Sequence, residues 1–201
     1  MTLSRQTPPT GPRQLSRRGF VATSTLALAA LALGCTRKSE AAAVAASRAA
    51  PRQVMLVTFS DAGKRLQTVR VDKVVKSDAA WRKQLPPLSY DVARHAGTER
   101  AFTGPLLNEH RKGVFRCLSC DTALYDSATK FESDTGWPSF WQPIAKENVI
   151  EIDDSSFGMT RTGISCRRCD AHLGHVFEDG PKPTGLRYCM NSAALRFAKA
   201  T

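Results

Sequence analysis

The chain has 201 residues, of which 42% are hydrophobic and 23% are charged, and its formal net charge is +11. This composition is that of a globular protein, and the length fits one domain of ordinary size with an additional segment. The charge is uneven: residues 1–50 hold seven Lys/Arg and one acidic residue, while residues 51–201 hold 22 and 17, a net +5. With this modest charge and no run of five like charges, a nucleic-acid-binding protein is not expected.

The first 35 residues have the three-part organisation of an export signal. A basic stretch ends in Ser16-Arg17-Arg18-Gly19-Phe20, an apolar run extends from Val21 to Leu33, and Gly34-Cys35 follow. The run is shorter than the roughly 20 residues that span a bilayer, and the paired arginines followed by Phe resemble a twin-arginine signal. We therefore predict a signal peptide in residues 1–35 and an exported protein, either periplasmic or anchored on the outer side of the cytoplasmic membrane.

The end of this signal has two interpretations. Ala32-Leu33-Gly34-Cys35 resembles a lipoprotein box, in which Cys35 is acylated and anchors the protein to the membrane. Small residues between Ala41 and Ala46 offer an alternative cleavage site without a lipid. Residues 36–53 are rich in Ala and Ser and lack apolar periodicity, so they are expected to form a flexible tether.

A β-hairpin is expected in residues 54–75. Val54–Phe59 is a β-prone run, Asp61–Lys64 favours a turn, and the alternation from Leu66 to Val71 is typical of a return strand. Residues 76–199 are then expected to form the main domain.

Two short helices are predicted at the start of that domain, before a mainly β region. Ser77 can cap a helix that extends to Leu85 and stops at Pro86-Pro87. A second helix is predicted from Tyr90 to His95. After Gly104-Pro105, short strands are broken by Gly, Pro, Asp and Ser, a pattern that predicts a mainly β fold.

Four cysteines form two Cys-x-x-Cys pairs with 45 residues between them: Cys117, Cys120, Cys166 and Cys169. Two thiolates three positions apart on a tight turn can face one ion, and two such turns complete a tetrahedral site. Exported proteins also form disulfides, but a twin-arginine route resembles one that carries folded proteins, which would bind zinc in the reducing cytosol. We predict a structural Zn²⁺, with two disulfides or a redox-active pair as alternatives.

The remaining cysteine beyond the signal, Cys189, is a candidate nucleophile. In a strand, Arg187, Cys189 and Asn191 would share one face. A nearby cation favours the thiolate, and an amide could orient a substrate oxygen. The alternative is that Cys189 is a small buried hydrophobe.

Two further segments contain candidate site residues. His172 and His175 closely follow the second cysteine pair, which could hold them as proton donors; surface residues or metal ligands are the alternatives. Gly136–Trp141 is dense in aromatic residues and suits a small apolar pocket, although Trp137 and Trp141 could instead belong to the core.

Three segments resemble the methionine-R-sulfoxide reductase family, type B: Gly136–Trp141, Cys169–Phe177 and Gly185–Phe197. The resemblance continues through Trp81–Leu85, His95–Arg100 and Phe102–Gly104, and covers roughly residues 76–199. It implies two small antiparallel sheets with short N-terminal helices, and loops bridged by the four-cysteine zinc site opposite the active site.

By the same resemblance, the chain reduces the R diastereomer of methionine sulfoxide in oxidised proteins or peptides, with the free amino acid as a further candidate substrate. It would act as a monomer that repairs exported proteins, through a sulfenic acid on the nucleophile. The implied site residues are the nucleophile Cys189, the oxygen-binding residues His172, His175 and Asn191, the thiol-tuning residue Arg187, and the substrate-binding residues Trp137 and Phe177.

The sequence departs from the family pattern at one position. Many members have a resolving cysteine just before Gly-Trp-Pro-Ser-Phe, where this chain has Thr135. Threonine cannot form a disulfide, so an external reductant, either a thioredoxin-like protein or a small thiol, is expected to reduce the sulfenic acid.

Two other functions compete with this one. A zinc-ribbon binding module would explain the cysteine pairs and Arg167-Arg168, but not the export signal. A periplasmic metal or redox chaperone would depend on the cysteine pairs and not on Cys189.

Overall fold

The computed structural model describes residues 53–154 and 161–201. The chain divides into two units, Met1–Ala50 and Pro51–Thr201, and all described residues belong to the second. The predicted twin-arginine motif, Cys35 and the tether up to residue 52 lie outside the described residues. Within the described ranges, no helix is long and apolar enough to cross a membrane.

Thirteen helices and strands organise the described residues. In chain order they are β1 Gln53–Phe59, β2 Arg65–Asp72, α1 Asp78–Gln84, α2 Pro87–His95, β3 Gly113–Cys117, β4 Ala123–Asp126, β5 Lys130–Phe131, β6 Ser139–Phe140, β7 Val149–Asp154, β8 Arg161–Cys166, β9 His172–Phe177, β10 Arg187–Met190 and β11 Leu195–Lys199. Short 3₁₀ turns lie at Ser127–Thr129, Lys146–Asn148 and Ser192–Ala194.

The strands form three antiparallel sheets. The hairpin β1-β2 is separate, six strands follow the order β5-β6-β10-β9-β8-β7, and three follow the order β11-β3-β4. The predicted mainly β fold with short N-terminal helices is confirmed. Strands distant in sequence are neighbours in the six-stranded sheet, and this brings the motif segments together.

A buried amide helps to attach the hairpin to the rest of the fold. Asn148 is fully buried; its Oδ1 accepts from the Val57 amide at 2.9 Å, and its Nδ2 donates to the Val57 and Ala123 carbonyls at 2.8 Å each. Val57 and Phe59 pack in a small core cluster with Val114 and Ala123. The amide thus satisfies backbone groups that sheet pairing leaves unpaired.

The two helices follow their sequence signals closely. The Ser77 hydroxyl accepts from the Ala80 amide at 3.3 Å and caps α1. The second helix begins at Pro87 instead of Tyr90, because proline has the φ of a first helical turn and its missing N–H is not needed there. It ends at His95, where Ala96 adopts a left-handed φ of 56°.

Strand β10 separates the core from the side that bears the thiol. Tyr188 and Met190 are buried, and the Tyr125 hydroxyl donates to the Met190 sulfur at 3.1 Å. The Tyr125 ring stacks on Phe140 with centroids 4.4 Å apart. Because side chains alternate along a strand, this packing turns Cys189 away from the core and towards a surface pocket.

Candidate active site

Cys189 lies in a small pocket with a volume of about 150 Å³. The described residues that line it are Thr98, Trp137, Arg161, Gly174, His175, Phe177, Cys189 and Asn191. The pocket brings four of the residues proposed from the sequence to the thiol: Trp137, His175, Phe177 and Asn191. Arg187 and His172 are not among its lining residues.

The sheet register explains how distant segments meet at Cys189. On one side Cys189 pairs with His175 of β9, and on the other with Ser139 of β6. Directly opposed residues in an antiparallel pair have neighbouring side chains on one face. Gly174 is required beside them, since a Cβ there would collide with the Cys189 carbonyl.

Three hydroxyl groups form a connected network beside the thiol. The Thr135 hydroxyl lies 3.8 Å from Cys189 Sγ and 2.9 Å from the Ser133 hydroxyl, which lies 2.7 Å from that of Ser139. Thr135, which the family resemblance aligns with a resolving cysteine, therefore contacts the candidate nucleophile. This contact places an oxygen where a second sulfur would be needed for a disulfide.

Burial and polar contacts have opposite effects on the Cys189 thiol. Burial is the largest effect and raises its pKa, whereas the Thr135 hydroxyl and the charge of Arg187 act to lower it. Arg187 thus acts in the direction proposed from the sequence, but it does not outweigh burial. In the free protein the thiol form is favoured, so substrate or a proton acceptor must help to form the thiolate.

Arg187 is held behind the pocket. Its guanidinium donates to both carboxylate oxygens of Asp179, at 2.9 and 2.8 Å, and lies 4.5 Å from the Phe177 ring centroid. This pair raises the pKa of Arg187 and lowers the pKa of Asp179. The arrangement positions a permanent charge near Cys189 and supports the ring that lines the pocket.

His175 has a carboxylate partner that sequence reasoning did not identify. Its Nε2 lies 2.7 Å from Asp154 Oδ2, and Arg161 Nη2 contacts the same oxygen at 3.1 Å. This contact fixes the orientation of the ring next to Cys189. No sequence signal pointed to Asp154, because it is 21 positions from His175 and meets it only through the pairing of β7, β8 and β9.

His172 differs from His175 in its surroundings. The two rings contact each other edge to face with centroids 5.2 Å apart, but His172 lines a neighbouring cavity. Burial, followed by the charge of His175, lowers the pKa of His172 to about 4. Its Nε2 is buried and has no hydrogen-bond partner among the described residues. His172 is therefore neutral near pH 7.

Glu99 forms hydrogen bonds with both Trp137 and Asn191. Its carbonyl accepts from Trp137 Nε1 at 3.1 Å, and its amide donates to Asn191 Oδ1 at 2.9 Å. Asn191 Nδ2 also donates to the Leu173 carbonyl at 3.1 Å, which leaves one N–H on that nitrogen. The buried Glu99 carboxylate is itself held by the amides of Ser192 and Ala193, at 2.7 and 2.8 Å. Sequence reasoning assigned Glu99 no role.

The four cysteines of the two Cys-x-x-Cys turns, or knuckles, form a potential metal site and do not line this pocket: Cys117, Cys120, Cys166 and Cys169. Their sulfur atoms lie within 4.8 Å of one another, with Cys117 and Cys169 3.7 Å apart and Cys120 and Cys166 3.5 Å apart. A tetrahedral ion with Zn–S bonds of about 2.3 Å needs sulfurs about 3.8 Å apart, whereas a disulfide needs about 2.05 Å. The donor set and spacing therefore fit a tetrahedral metal ion.

Comparisons with known proteins place the chain among sequences of one family. Residues 85–199 match the SelR domain family. The chain is 54% identical over 125 residues to a peptide methionine sulfoxide reductase MsrB of Pseudomonas entomophila, covering 62% of this chain and 95% of that protein. It is 54% identical over 127 residues to the MsrB of Leptospira interrogans (63% and 97%) and 51% identical over 125 residues to that of Methylibium petroleiphilum (62% and 91%).

Proposed function

The chain belongs to the SelR domain family and is a peptide methionine sulfoxide reductase, and we propose that it reduces the R diastereomer through a sulfenic acid on Cys189. The observation that carries this proposal is the position of Cys189, whose thiol opens into a pocket with aromatic residues and a carboxylate-bound histidine. A pocket of about 150 Å³ is smaller than those that hold drug-sized ligands, and it suits a single side chain.

The reaction begins with attack of the Cys189 thiolate on the sulfoxide sulfur. As the S–O bond weakens, the oxygen becomes more basic and takes a proton from a neighbouring acid. The oxygen and that proton end on Cys189 as a sulfenic acid, and the substrate leaves as methionine, so the cysteine is oxidised by two electrons.

His175 is the better candidate for the acid. It lies opposite Cys189 on the adjacent strand, and its Nε2 lies 2.7 Å from Asp154 Oδ2, which holds the ring in place. His172 is neutral near pH 7, because burial lowers its pKa to about 4, and it lines the neighbouring cavity. A proton carried by His175 can therefore reach the sulfoxide oxygen, while His172 supports the ring of His175 through their edge contact.

The proposed stereochemical preference follows from the two kinds of pocket wall. The rings of Trp137 and Phe177 suit the S-methyl group, and the remaining N–H of Asn191 can donate to the oxygen. With the attacking sulfur fixed, the apolar and polar walls accept the methyl group and the oxygen of one diastereomer. The other diastereomer would place its oxygen against the aromatic wall, which cannot donate a strong hydrogen bond.

This function is tested by assaying residues 51–201 with each diastereomer of methionine sulfoxide and dithiothreitol as the reductant. We expect turnover of the R diastereomer and a kcat/KM lower by at least about 10²-fold for the S diastereomer. Equal turnover of both, or a preference for S, would reject the proposed stereochemistry.

The four cysteines Cys117, Cys120, Cys166 and Cys169 would hold a structural Zn²⁺. With four protein ligands, such an ion has no open position for substrate and contributes folding energy instead of chemistry.

We expect the sulfenic acid on Cys189 to be reduced by an external thiol. That thiol attacks the oxidised sulfur and releases water, and a second thiol then frees Cys189 from the mixed disulfide. Thr135→Cys should make this step internal, because the Thr135 hydroxyl already lies 3.8 Å from Cys189 Sγ. The variant should form an intramolecular disulfide after one equivalent of sulfoxide and turn over several-fold faster with thioredoxin, measured by mass spectrometry and steady-state kinetics.

Ser133→Cys is the matched control, since Ser133 lies in the same loop but its hydroxyl contacts Thr135 and Ser139. It should form no disulfide with Cys189, and the wild type should retain a sulfenic acid that a specific probe labels. A wild-type disulfide between Cys189 and a knuckle cysteine, formed with release of zinc, would contradict the external-thiol step.

The site of action is proposed to be outside the cytoplasm, where the substrates are oxidised exported proteins. The basis is the twin-arginine motif and the apolar run that follows it. Lysines in place of Arg17 and Arg18 should leave the precursor in the cytoplasm, as measured by cell fractionation. Unchanged export of this variant would reject the twin-arginine route.

The lipid anchor is tested separately by Cys35→Ser. If Cys35 is acylated, this substitution should release the protein from membranes.

A further inference from the structure

Phe102 combines an exposed ring with a strained backbone. Its side chain is 68% exposed. Its φ is 65°, in the left-handed region that glycine favours and that bulky residues rarely adopt. Burial of the ring would offset this strain, but a ring in solvent contributes little hydrophobic stabilisation. The stability of the fold therefore does not account for a phenylalanine here, whereas a contact with another molecule would.

The Phe102 ring lies on the loop beside the nucleophile. The Phe102 amide donates to the Gly136 carbonyl at 2.8 Å. Its ring atoms Cδ2 and Cε2 lie 2.9 Å from where a Cβ at Gly136 would be, and the φ of Gly136 is 92°. The residue before Gly136 is Thr135, whose hydroxyl lies 3.8 Å from Cys189 Sγ. The residue after it is Trp137, which lines the thiol pocket.

The segment from Thr98 to Phe102 follows the rim of the thiol pocket. Thr98 lines the pocket, and the Glu99 carbonyl accepts from Trp137 Nε1 at 3.1 Å. Phe102 is not among the described residues that line it. A methionine sulfoxide side chain inside the pocket would thus contact the lining residues and not Phe102. The exposed ring lies outside, where a macromolecule that approaches Cys189 would meet it.

The reducing thiol is brought to this rim in every catalytic cycle. Thr135 has no thiol, so one thiol of the reductant attacks the sulfenic sulfur of Cys189 and releases water. A second thiol of the reductant then completes the disulfide of the reductant and frees Cys189 as a thiol. Because Cys189 lies within a pocket, a protein sulfur can bond to it only while the surrounding protein surface contacts the rim. Aromatic side chains are enriched in such contacts.

The position of the ring favours the reductant over the substrate as its partner. The ring lies on the loop that contains Thr135, and the Thr135 hydroxyl occupies the place beside Cys189 where a second sulfur would form a disulfide. A protein that supplies this second sulfur from outside would approach along the same loop. A small thiol enters the pocket alone and needs no contact with the rim.

We propose that Phe102 is a docking contact for a protein dithiol reductant, whose surface covers the ring while its sulfur is bonded to Cys189. The inference rests on the proposed function, since the reductant acts on the sulfenic acid that sulfoxide reduction leaves on Cys189. It assigns a partner-binding residue outside the thiol pocket. A protein reductant should therefore depend on Phe102, and a small dithiol should not.

The test compares thioredoxin, kept reduced by its reductase, with dithiothreitol, using the full chain and free methionine-R-sulfoxide. Phe102→Ala should raise KM for thioredoxin by about tenfold, while turnover with dithiothreitol stays within about twofold of wild type. Phe102→Tyr retains the ring at an exposed position and should keep the wild-type KM. Leu66→Ala is the matched control, since Leu66 is an exposed apolar residue of β2 that does not line the pocket.

Phe102→Gly removes the ring together with the backbone strain, because glycine adopts a positive φ freely. It should remain folded, as measured by thermal unfolding, and it should show the same rise in KM for thioredoxin. A wild-type KM for thioredoxin in this variant or in Phe102→Ala would overturn the docking proposal.

A capped pentapeptide with a central R-sulfoxide, assayed with dithiothreitol, separates the reductant from the substrate as the partner of Phe102. Its KM should be unchanged in Phe102→Ala. A raised KM would mean that the ring contacts the substrate polypeptide, and loss of dithiothreitol-dependent turnover would mean that the ring positions the pocket loop. Either result would overturn the proposal. Failure of the proposed function is distinct, because the wild type would then turn over with neither reductant.

Discussion

Replacing Cys189 with serine is expected to abolish the reduction of methionine sulfoxide, lowering kcat by at least about 10³-fold. The serine hydroxyl is a far weaker nucleophile than the thiolate at neutral pH, and no other described cysteine lines the pocket. The substitution should leave the fold intact, since Cys189 is turned away from the core that contains Tyr188 and Met190. Steady-state turnover, circular dichroism and zinc content measure these three expectations.

The Cys189→Ser variant also distinguishes the reductase function from the two competing functions. A zinc-ribbon binding module or a chaperone would act through the cysteine pairs, and would be unaffected by the loss of Cys189. Substantial turnover by Cys189→Ser, with correct folding, would require another nucleophile and would remove the basis for the proposed mechanism.

Cys117→Ser is expected to produce the largest loss of stability. Structural zinc sites contribute about 10–16 kcal/mol in apparent binding energy, whereas a typical domain is stable by only about 5–15 kcal/mol. Cys117 is fully buried at the end of β3, so its replacement would also leave a polar hydroxyl in the core. We expect loss of the metal and a domain largely unfolded at 37 °C, as monitored by thermal denaturation and metal analysis.

The loss of stability should extend beyond the two Cys-x-x-Cys turns, because side chains of α1 and α2 donate hydrogen bonds to them. Gln84 at the end of α1 donates to the Ser119 carbonyl at 2.8 Å, and Arg94 in α2 donates to the Cys169 carbonyl at 2.8 Å. Loss of the turns would thus release both helices. Cys189→Ser is the matched cysteine control and should retain about one zinc per chain. Two disulfides in the natively exported protein, detected by mass spectrometry, would contradict the zinc assignment.

The elements that the sequence predicted are those whose signals are local. The Ser77 cap, the turn after Phe59 and the strand around Cys189 follow from residues a few positions apart. The exact start of α2 at Pro87 was missed, although proline in the first helical turn is itself a local signal. The domain boundaries and the export signal stay predictions.

The site could be proposed in part because its chemistry is concentrated in short motifs. The two cysteine pairs predicted a cluster of four thiols, and the structure brings the four sulfurs within 4.8 Å. The residues that support the site were not predictable in this way. Glu99 lies 38 and 92 positions from Trp137 and Asn191, and it holds them through a backbone carbonyl and N–H that every residue except proline has.

Residue types and their spacing were enough to identify Cys189 as a candidate nucleophile, four thiols that could bind one metal ion, and a mainly β fold. Three features became visible only in the folded chain: the contact between Asp154 and His175, the pKa of Cys189 raised by burial despite Arg187, and the cavity beside the pocket. The physical reason is that hydrogen-bond partners, desolvation and empty space depend on distances between strands that are far apart in the chain. Those distances exist only once the six-stranded sheet has formed.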